Sequence, residues 1–210
     1  MNFLPVKIPK VFTSIFPNQI WNIDTDKKVL YLTFDDGPTP VVTDWTLDCL
    51  KDFKAQATFF CIGKNVVSQP YIYQRILKEK HAIGNHTFNH LNGWKTDNLN
   101  YLNDVNLATK YIKSKLFRPP YGRIGNKQSK LILAANFKIV MWTVLSKDYN
   151  RKISREECLK NVLNNSRNGS IVVFHDSKKA FENLQYTLPR ILEFYSEKGF
   201  CFKRIPESTL

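Results

Sequence analysis

The 210-residue sequence has no continuous apolar run long enough to span a membrane. Near its start the apolar residues are scattered, and Pro5, Pro9 and Pro17 interrupt them, so this segment lacks the features of a signal peptide or a transmembrane helix. We therefore predict a cytoplasmic protein. The same segment carries apolar and basic side chains together, which leaves peripheral contact with a membrane surface as an alternative.

The sequence also lacks closely spaced cysteine pairs and internal repeats. Cys49, Cys61, Cys158 and Cys201 form no C-x-x-C motif, which argues against a zinc knuckle or a thioredoxin-like site. We expect the four cysteines to be free thiols, which are typical of a reducing compartment. The alternative is that two of them form a disulfide. Because no repeat, low-complexity tract or linker divides the chain, we predict one domain over residues 26–210, with residues 1–25 as an arm packed on it.

Acidic residues are scarce, with 18 Asp and Glu against 31 Lys and Arg, which gives a formal net charge of +13. A basic surface favours an anionic polymer or a membrane surface as a partner. The basic residues are spread along the chain, however, so an ordinary solvated surface explains the same count. We expect no specific nucleic-acid partner, and we expect a monomer.

Short β-type runs alternate with amphipathic stretches of helical length. The seven predicted strands are 29–34, 57–62, 82–85, a short run at Phe117, 138–144, 170–174 and 200–205. The predicted helices lie between them, at 42–53, 71–80, 98–115, 127–136, 155–167 and 181–198. This alternation predicts an α/β fold with a parallel sheet, and the strand count indicates a barrel smaller than the eightfold one.

Polar side chains follow the predicted strands at their C-terminal ends. They are Asp35, Asp36, His86, Arg118, Tyr121, Asp148 and His175. The C-terminal rim of a parallel barrel is where active sites form, so we expect these residues to meet there.

A metal site is the first chemical hypothesis. His86 and His90 are spaced i and i+4, so a helical turn would present both to one ion. Asp35 and Asp36 are adjacent carboxylates after an apolar strand, an arrangement that a cation would stabilise, although Asp-Gly-Pro is also good turn chemistry. Asp36, His86 and His90 would supply three ligands and leave a position for water, with Asp35 free to act as a base.

Four motifs resemble, in order, those of the polysaccharide deacetylase family, also called the NodB homology domain or carbohydrate esterase family 4. They are TFDDGP at 33–38, GNHTFNH at 84–90, RPPY at 118–121 and an apolar strand that ends in His175-Asp176. The resemblance covers about two-thirds of the chain. It implies a distorted (β/α) barrel of about seven parallel strands and a hydrolase that removes N-acetyl groups from carbohydrate.

The resemblance also implies a role for each matching position. Asp35 is similar to the catalytic base, and Arg118 to the residue that orients it. The metal triad would hold a divalent ion, usually zinc, with Co²⁺, Ni²⁺ or Mn²⁺ as alternatives. Tyr121 is similar to the residue whose backbone N–H binds the oxyanion, His175 to the general acid and Asp148 to the partner that tunes His175.

The sequence departs from the family pattern at 145–149, which reads LSKDY where the family usually has Asp-x-x-Asp-Trp. Tyr149 thus replaces the Trp of the cleft wall, and Val173 would line the pocket for the acetyl methyl group. Trp94 lies in a polar loop after the His motif, where it would either stack on a sugar or belong to the core.

Three functional hypotheses follow. The first is N-deacetylation of a GlcNAc-containing glycan, such as a chitooligosaccharide, a peptidoglycan-related polymer or a glycolipid. The second is an O-acetyl esterase acting on acetylated xylan or another glycan. The third is a non-catalytic protein that binds carbohydrate or polyanions, which the net charge favours and the presence of both a base and an acid disfavours.

Overall fold

Nine strands and eight α-helices alternate along residues 5–207, the part of the chain that the computed structural model describes, the side chain of Lys10 excepted. The strands are β1 (Gln19–Ile20), β2 (Val29–Asp35), β3 (Thr58–Cys61), β4 (Ala82–Asn85), β5 (Leu116–Phe117), β6 (Lys138–Val140), β7 (Val144–Leu145), β8 (Ile171–His175) and β9 (Cys201–Phe202). The helices are α1 (Lys10–Ile15), α2 (Val42–Asp52), α3 (Gly63–Ser68), α4 (Pro70–Lys78), α5 (Asn98–Ala108), α6 (Asn126–Ala134), α7 (Arg155–Leu163) and α8 (Phe181–Glu197). Short 3₁₀ turns lie at Gly93–Lys95 and Pro120–Gly122.

The strands form one parallel sheet in the order β1-β6-β5-β4-β3-β2-β8-β7, with β9 added beside β2. β2 is buried along its whole length, as expected of a strand covered on both faces by other elements. Its register pairs Asp35 with Phe60 of β3 and with His175 of β8. Two of the predicted site residues are therefore neighbours across a strand pair.

Side chains of β2 alternate between two apolar cores, because successive residues of a strand point to opposite faces. The even-numbered residues from Leu30 to Phe34 pack between the sheet and its helices. Val29 and Tyr31 pack in the second core, inside the curled sheet. The same alternation directs Asp35 to the inner face, towards the cleft.

The predicted α/β barrel is confirmed, with two changes in its strands: β1 lies in the segment predicted as an arm, and one predicted strand is divided. The predicted strand 138–144 is two strands, β6 and β7, which lie near opposite ends of the strand order. Between them the chain crosses the gap in the barrel: the Met141 N–H donates to the Ile20 carbonyl at 2.7 Å, and the Thr143 N–H donates to the Ile171 carbonyl at 3.0 Å. The barrel is therefore distorted where this crossing replaces a continuous strand.

The described part of the N-terminal segment contributes to the barrel. β1 pairs with β6, and the Trp21 ring is buried in the inner core. Helix α1 leaves Val11, Phe12 and Ile15 exposed. Residues 1–4 of the predicted arm and 208–210 of the predicted domain lie outside the described residues, and the division at residue 25 stays a prediction.

Within residues 5–207, no helix combines the length and the hydropathy that crossing a bilayer requires. The four cysteines are unpaired.

Candidate active site

A cleft of about 750 Å³ opens at the C-terminal ends of the strands, on the predicted rim. Its lining includes eight of the predicted site residues: Asp35, Asp36, His86, His90, Tyr121, Tyr149, Val173 and His175. Arg118 and Asp148 are fully buried behind this surface. Trp94 does not line the cleft but lies beside it, with 68% of its surface exposed.

Asp36, His86 and His90 form a cluster that could hold one metal ion. The Asp36 Oδ1 atom lies 3.2 Å from His90 Nε2 and 3.8 Å from His86 Nε2, and one ligand atom from each residue lies within 4.8 Å of the others. Ligands that share a tetrahedral zinc at about 2.1 Å are about 3.4 Å apart. Two imidazole nitrogens and a carboxylate oxygen so close together are a donor set that suits one divalent metal ion.

Hydrogen bonding fixes which nitrogen of His86 is available. His86 Nδ1 lies 2.7 Å from the Arg118 carbonyl oxygen, which can only accept, so Nδ1 carries the proton and Nε2 presents its lone pair. Burial lowers the pKa of His86 to about 4, so the ring is neutral near pH 7. Burial raises the pKa of Asp36, but the hydrogen bond with His90 and the charges of the neighbouring histidines outweigh it and hold the pKa below its usual range.

The two histidines do not share a helical turn, so that expectation from their spacing is wrong. His86 directly follows β4, and His90 comes out of a bend with a φ of 59°. Asp36 and Tyr121 also have positive φ, at 82° and 61°. Backbone strain of this kind persists only where the surroundings impose it, and it is concentrated at functional sites.

Asp35 is held by Arg118. The Arg118 Nη1 donates to Asp35 Oδ1 and to Thr33 Oγ1, both at 2.7 Å. The remaining guanidinium donors reach the carbonyls of Val140 at 3.1 Å and Met141 at 2.9 Å. A guanidinium with four protein acceptors is rigid, so the carboxylate that it binds has a fixed orientation.

His175 is held by Asp148 from the side opposite the cleft. The Asp148 carboxylate accepts from His175 Nδ1 at 2.8 Å and from the His175 backbone N–H at 2.7 Å. Burial alone would lower the pKa of His175, but the Asp148 charge and hydrogen bond raise it to about 9. The imidazolium is thus the stable form near pH 7, with Nε2 left free for the cleft.

Aromatic rings flank both sets of reactive groups. The Tyr121 ring lies 4.6 Å from the His90 ring, and the Tyr149 ring lies 4.9 Å from the His175 ring, both measured between centroids. Gly122, the residue after Tyr121, packs directly against Trp142, and a Cβ at Gly122 would lie 2.4 Å from the indole. Trp142 also lines the cleft, a position that the sequence did not assign to it.

Two residues that position the site, Asp104 and Asn65, were not predicted from the sequence. Asp104 of α5 accepts from the Phe88 and Asn89 N–H groups at 2.8 and 2.9 Å and so holds the bend that carries His90. Asn65 donates to the Asp36 carbonyl at 2.7 Å. The signal for Asp104 was a carboxylate on the buried face of its helix, whereas nothing in the sequence near Asn65 points to the site.

Asp176 supports the Asp35-Asp36 loop from below. It is fully buried and accepts from the Gly37 N–H at 3.0 Å and from the Thr43 hydroxyl at 2.6 Å. A Cβ at Gly37 would lie 1.9 Å from the Asp176 carboxylate. Only glycine therefore fits this approach.

Comparison with known proteins places this site in a family. Residues 22–140, more than half of the chain, match the family model described as polysaccharide deacetylase. A peptidoglycan-N-acetylglucosamine deacetylase of Bacillus cereus is 34% identical over 194 residues, 89% of this chain and 91% of that protein. A chitooligosaccharide deacetylase of Azorhizobium caulinodans is 32% identical over 165 residues, 75% of this chain and 78% of that protein.

Solved structures agree. The crystal structure of a peptidoglycan N-acetylglucosamine deacetylase in complex with a naphthalenyl N-oxidanyl-benzamide superposes with a TM-score of 0.84 and 31% identity, over 97% of this chain and 96% of the other. The fold, the cleft on its C-terminal rim and these matches together define the class of protein. The chain belongs to the polysaccharide deacetylase family, as the motifs predicted, and it is an enzyme of that family.

Proposed function

We propose that the protein removes N-acetyl groups from a GlcNAc-containing glycan by metal-assisted hydrolysis, releasing acetate and a free amino sugar. The observation that carries the proposal is the meeting, in one cleft, of the Asp36-His86-His90 cluster with two supported groups, Asp35 on Arg118 and His175 on Asp148. The relatives named above, which act on peptidoglycan and on chitooligosaccharide, support the same reaction class.

Asp36, His86 and His90 would hold the divalent ion. Their two nitrogens and one oxygen suit zinc, with Co²⁺, Ni²⁺ or Mn²⁺ as alternatives. Bound there, the ion would lower the pKa of a coordinated water and polarise the acetyl carbonyl.

The remaining steps belong to this chain's own residues. Asp35, held by Arg118, accepts the proton of the attacking water as the new C–O bond forms at the acetyl carbon. The Tyr121 backbone N–H donates to the developing oxyanion. His175 gives its proton to the leaving nitrogen as the C–N bond breaks, and Asp148 stabilises the imidazolium beforehand.

We assign three further residues to the substrate. Val173 lies on β8 directly below His175 and would contact the acetyl methyl group. Tyr149 would contact a sugar ring on the His175 side of the cleft, and Trp94 would do so on the Arg123 side, where much of its ring is exposed.

The test is acetate release from N-acetylated chitooligosaccharides and from peptidoglycan, before and after removal of divalent ions with a chelator. We expect activity that the chelator abolishes and zinc restores. Asp35→Asn should keep its metal after dialysis, measured by elemental analysis, and lose at least about 100-fold in kcat. The matched control is Asp52→Asn, an exposed carboxylate on α2.

Failure on every amide substrate with metal bound would contradict the proposal. Hydrolysis of O-acetylated xylan alone would replace it with the esterase hypothesis. Binding of glycan without turnover would favour the non-catalytic one.

We also propose the cytoplasmic location and the monomeric state expected from the sequence. Fractionation of the source cells and light scattering of the purified chain would test them.

A further inference from the structure

Three cationic side chains line the rim of the cleft: Lys95, Arg123 and Lys179. They come from three different loops, after β4, β5 and β8. Among the described lining residues the carboxylates are Asp35 and Asp36, which lie at the bottom of the cleft with the metal cluster. The upper wall of the cleft is therefore positive.

Two of these cations lie against an aromatic ring. The Arg123 guanidinium is 5.0 Å from the centre of the Trp94 ring, and the Lys179 ammonium is 5.7 Å from the centre of the Tyr149 ring. Arg123 comes two residues after Tyr121, whose ring lies against His90 of the metal cluster, whereas the Tyr149 ring lies against His175. Both sides of the reactive centre thus present an aromatic face beside a positive charge.

Within residues 5–207, none of these three cations makes an ion pair with a protein carboxylate. Their charge is not neutralised by the fold, so it is available to a ligand. Clefts with one sign of charge raise the local concentration of ligands of the opposite sign. A neutral oligosaccharide gains nothing from this, whereas a carboxylate beside the stacked sugar does.

We propose that Lys95, Arg123 and Lys179 select glycans that carry carboxylate groups over neutral glycans at this cleft. This inference rests on the proposed function and specifies its substrate class: an N-acetylated amino-sugar strand with carboxylates on the sugars or substituents next to the reacting one. The aromatic rings contact the sugar faces, and the cations contact the carboxylates.

The test compares a muropeptide tetrasaccharide, the same compound with its carboxylates converted to methylamides, and N-acetylchitotetraose. The readout is the ratio of kcat/KM for the carboxylate substrate to that for its amidated form. We expect wild-type protein to prefer the carboxylate form by about 10-fold at low salt, with the preference falling as salt rises. K95Q/R123Q/K179Q should bring the ratio close to one.

The matched control is K51Q/K127Q/K160Q, which removes the same charge from exposed positions outside the cleft. It should keep the wild-type ratio, because the effect depends on the place of the charge and not on its total. An equal loss in both triple variants, or a wild-type ratio near one, would overturn the inference.

Binding of the same ligands is measured by calorimetry beside turnover. If no acetate is released from any substrate, the proposed function fails, while a carboxylate preference in Kd that the rim variant loses still supports the inference. If acetate is released but neither kcat/KM nor Kd distinguishes the two forms, the inference fails and the proposed function stands.

Discussion

At the scale of single residues, Arg118 shows how the site tolerates a charge in its interior. A buried guanidinium is costly unless its donors are satisfied and an opposite charge is near. Arg118 meets both conditions through Asp35, the Thr33 hydroxyl and two backbone carbonyls, and it packs 4.0 Å from the centre of the Phe60 ring. The ion pair therefore serves to orient Asp35, since a carboxylate bound to a rigid donor cannot rotate away from the cleft.

The contact between His175 and Asp148 leads us to expect that kcat depends on pH. Because the pKa of His175 is raised to about 9, its proton is present below that pH and is lost as pH rises through it. The kcat profile of the wild type should therefore fall on its alkaline side. Asp148→Asn removes the carboxylate that raises the pKa, so the alkaline limb should move to lower pH by about 1 unit or more.

A kcat profile from pH 5 to 10 measures that shift, and its position does not depend on how much of the variant is folded. Asp24→Asn, in a loop remote from the cleft lining, is the control and should keep the wild-type limb. An unmoved limb in Asp148→Asn would show that His175 is not the group that titrates.

At the scale of elements, α5 controls the bend that carries His90. Tyr101, Asp104, Val105 and Ala108 form the buried face of this helix. Three of them contribute apolar surface, whereas Asp104 accepts from the Phe88 and Asn89 N–H groups and from the Asn89 side chain at 2.6 Å. The position of the second histidine thus depends on a helix that contributes nothing to the cleft itself.

Asp104→Ala should weaken metal binding by about 10- to 100-fold, the range found when residues that support metal ligands are removed. Competition with a chromophoric zinc chelator measures the affinity. Asn103→Ala changes an exposed residue of the same helix and should leave the affinity as it is. Equal affinities in the two variants would show that the bend keeps its shape without Asp104.

At the scale of the whole molecule, the barrel is completed by a segment that lies before its first long strand. β1 extends the sheet beyond β6, and Lys7 and Asn22 make antiparallel bridges to Val144 and Ser170. The gap between the two ends of the sheet is therefore covered by residues 6–22 together with the crossing from β6 to β7.

This arrangement predicts that Trp21 stabilises the barrel. Trp21→Ala should lower the free energy of unfolding by about 3 kcal/mol, as expected for the loss of a large buried ring. Phe12→Ala, in the exposed helix α1, should change it by less than about 0.5 kcal/mol. Urea unfolding measures both, and equal effects would mean that the segment does not form part of the barrel's core.

The sequence by itself determined the family and the alternation of strands and helices, and it named the residues that meet in the cleft, because motifs and apolar periodicity are local properties of the chain. The prediction for 82–85 matches β4, and β2 ends at Asp35, one residue later than predicted, with Asp36 directly after it. These features need no knowledge of what lies across the sheet.

Tertiary structure alone decided the rest. The run 138–144 is apolar apart from Lys138 and Thr143, so its pattern cannot reveal that residues 141–143 leave one edge of the barrel for the other. Only the partners Ile20 and Ile171 determine that. The same holds for the Asp36-His86-His90 cluster. The sequence named Asp36, His86 and His90, but a helical turn does not bring them together. Contacts from distant parts of the fold do: Asp104 accepts from the Phe88 and Asn89 N–H groups, Asn65 donates to the Asp36 carbonyl, and the Arg118 carbonyl accepts from His86 Nδ1. The positive φ of Asp36 and His90 persists because these surroundings impose it.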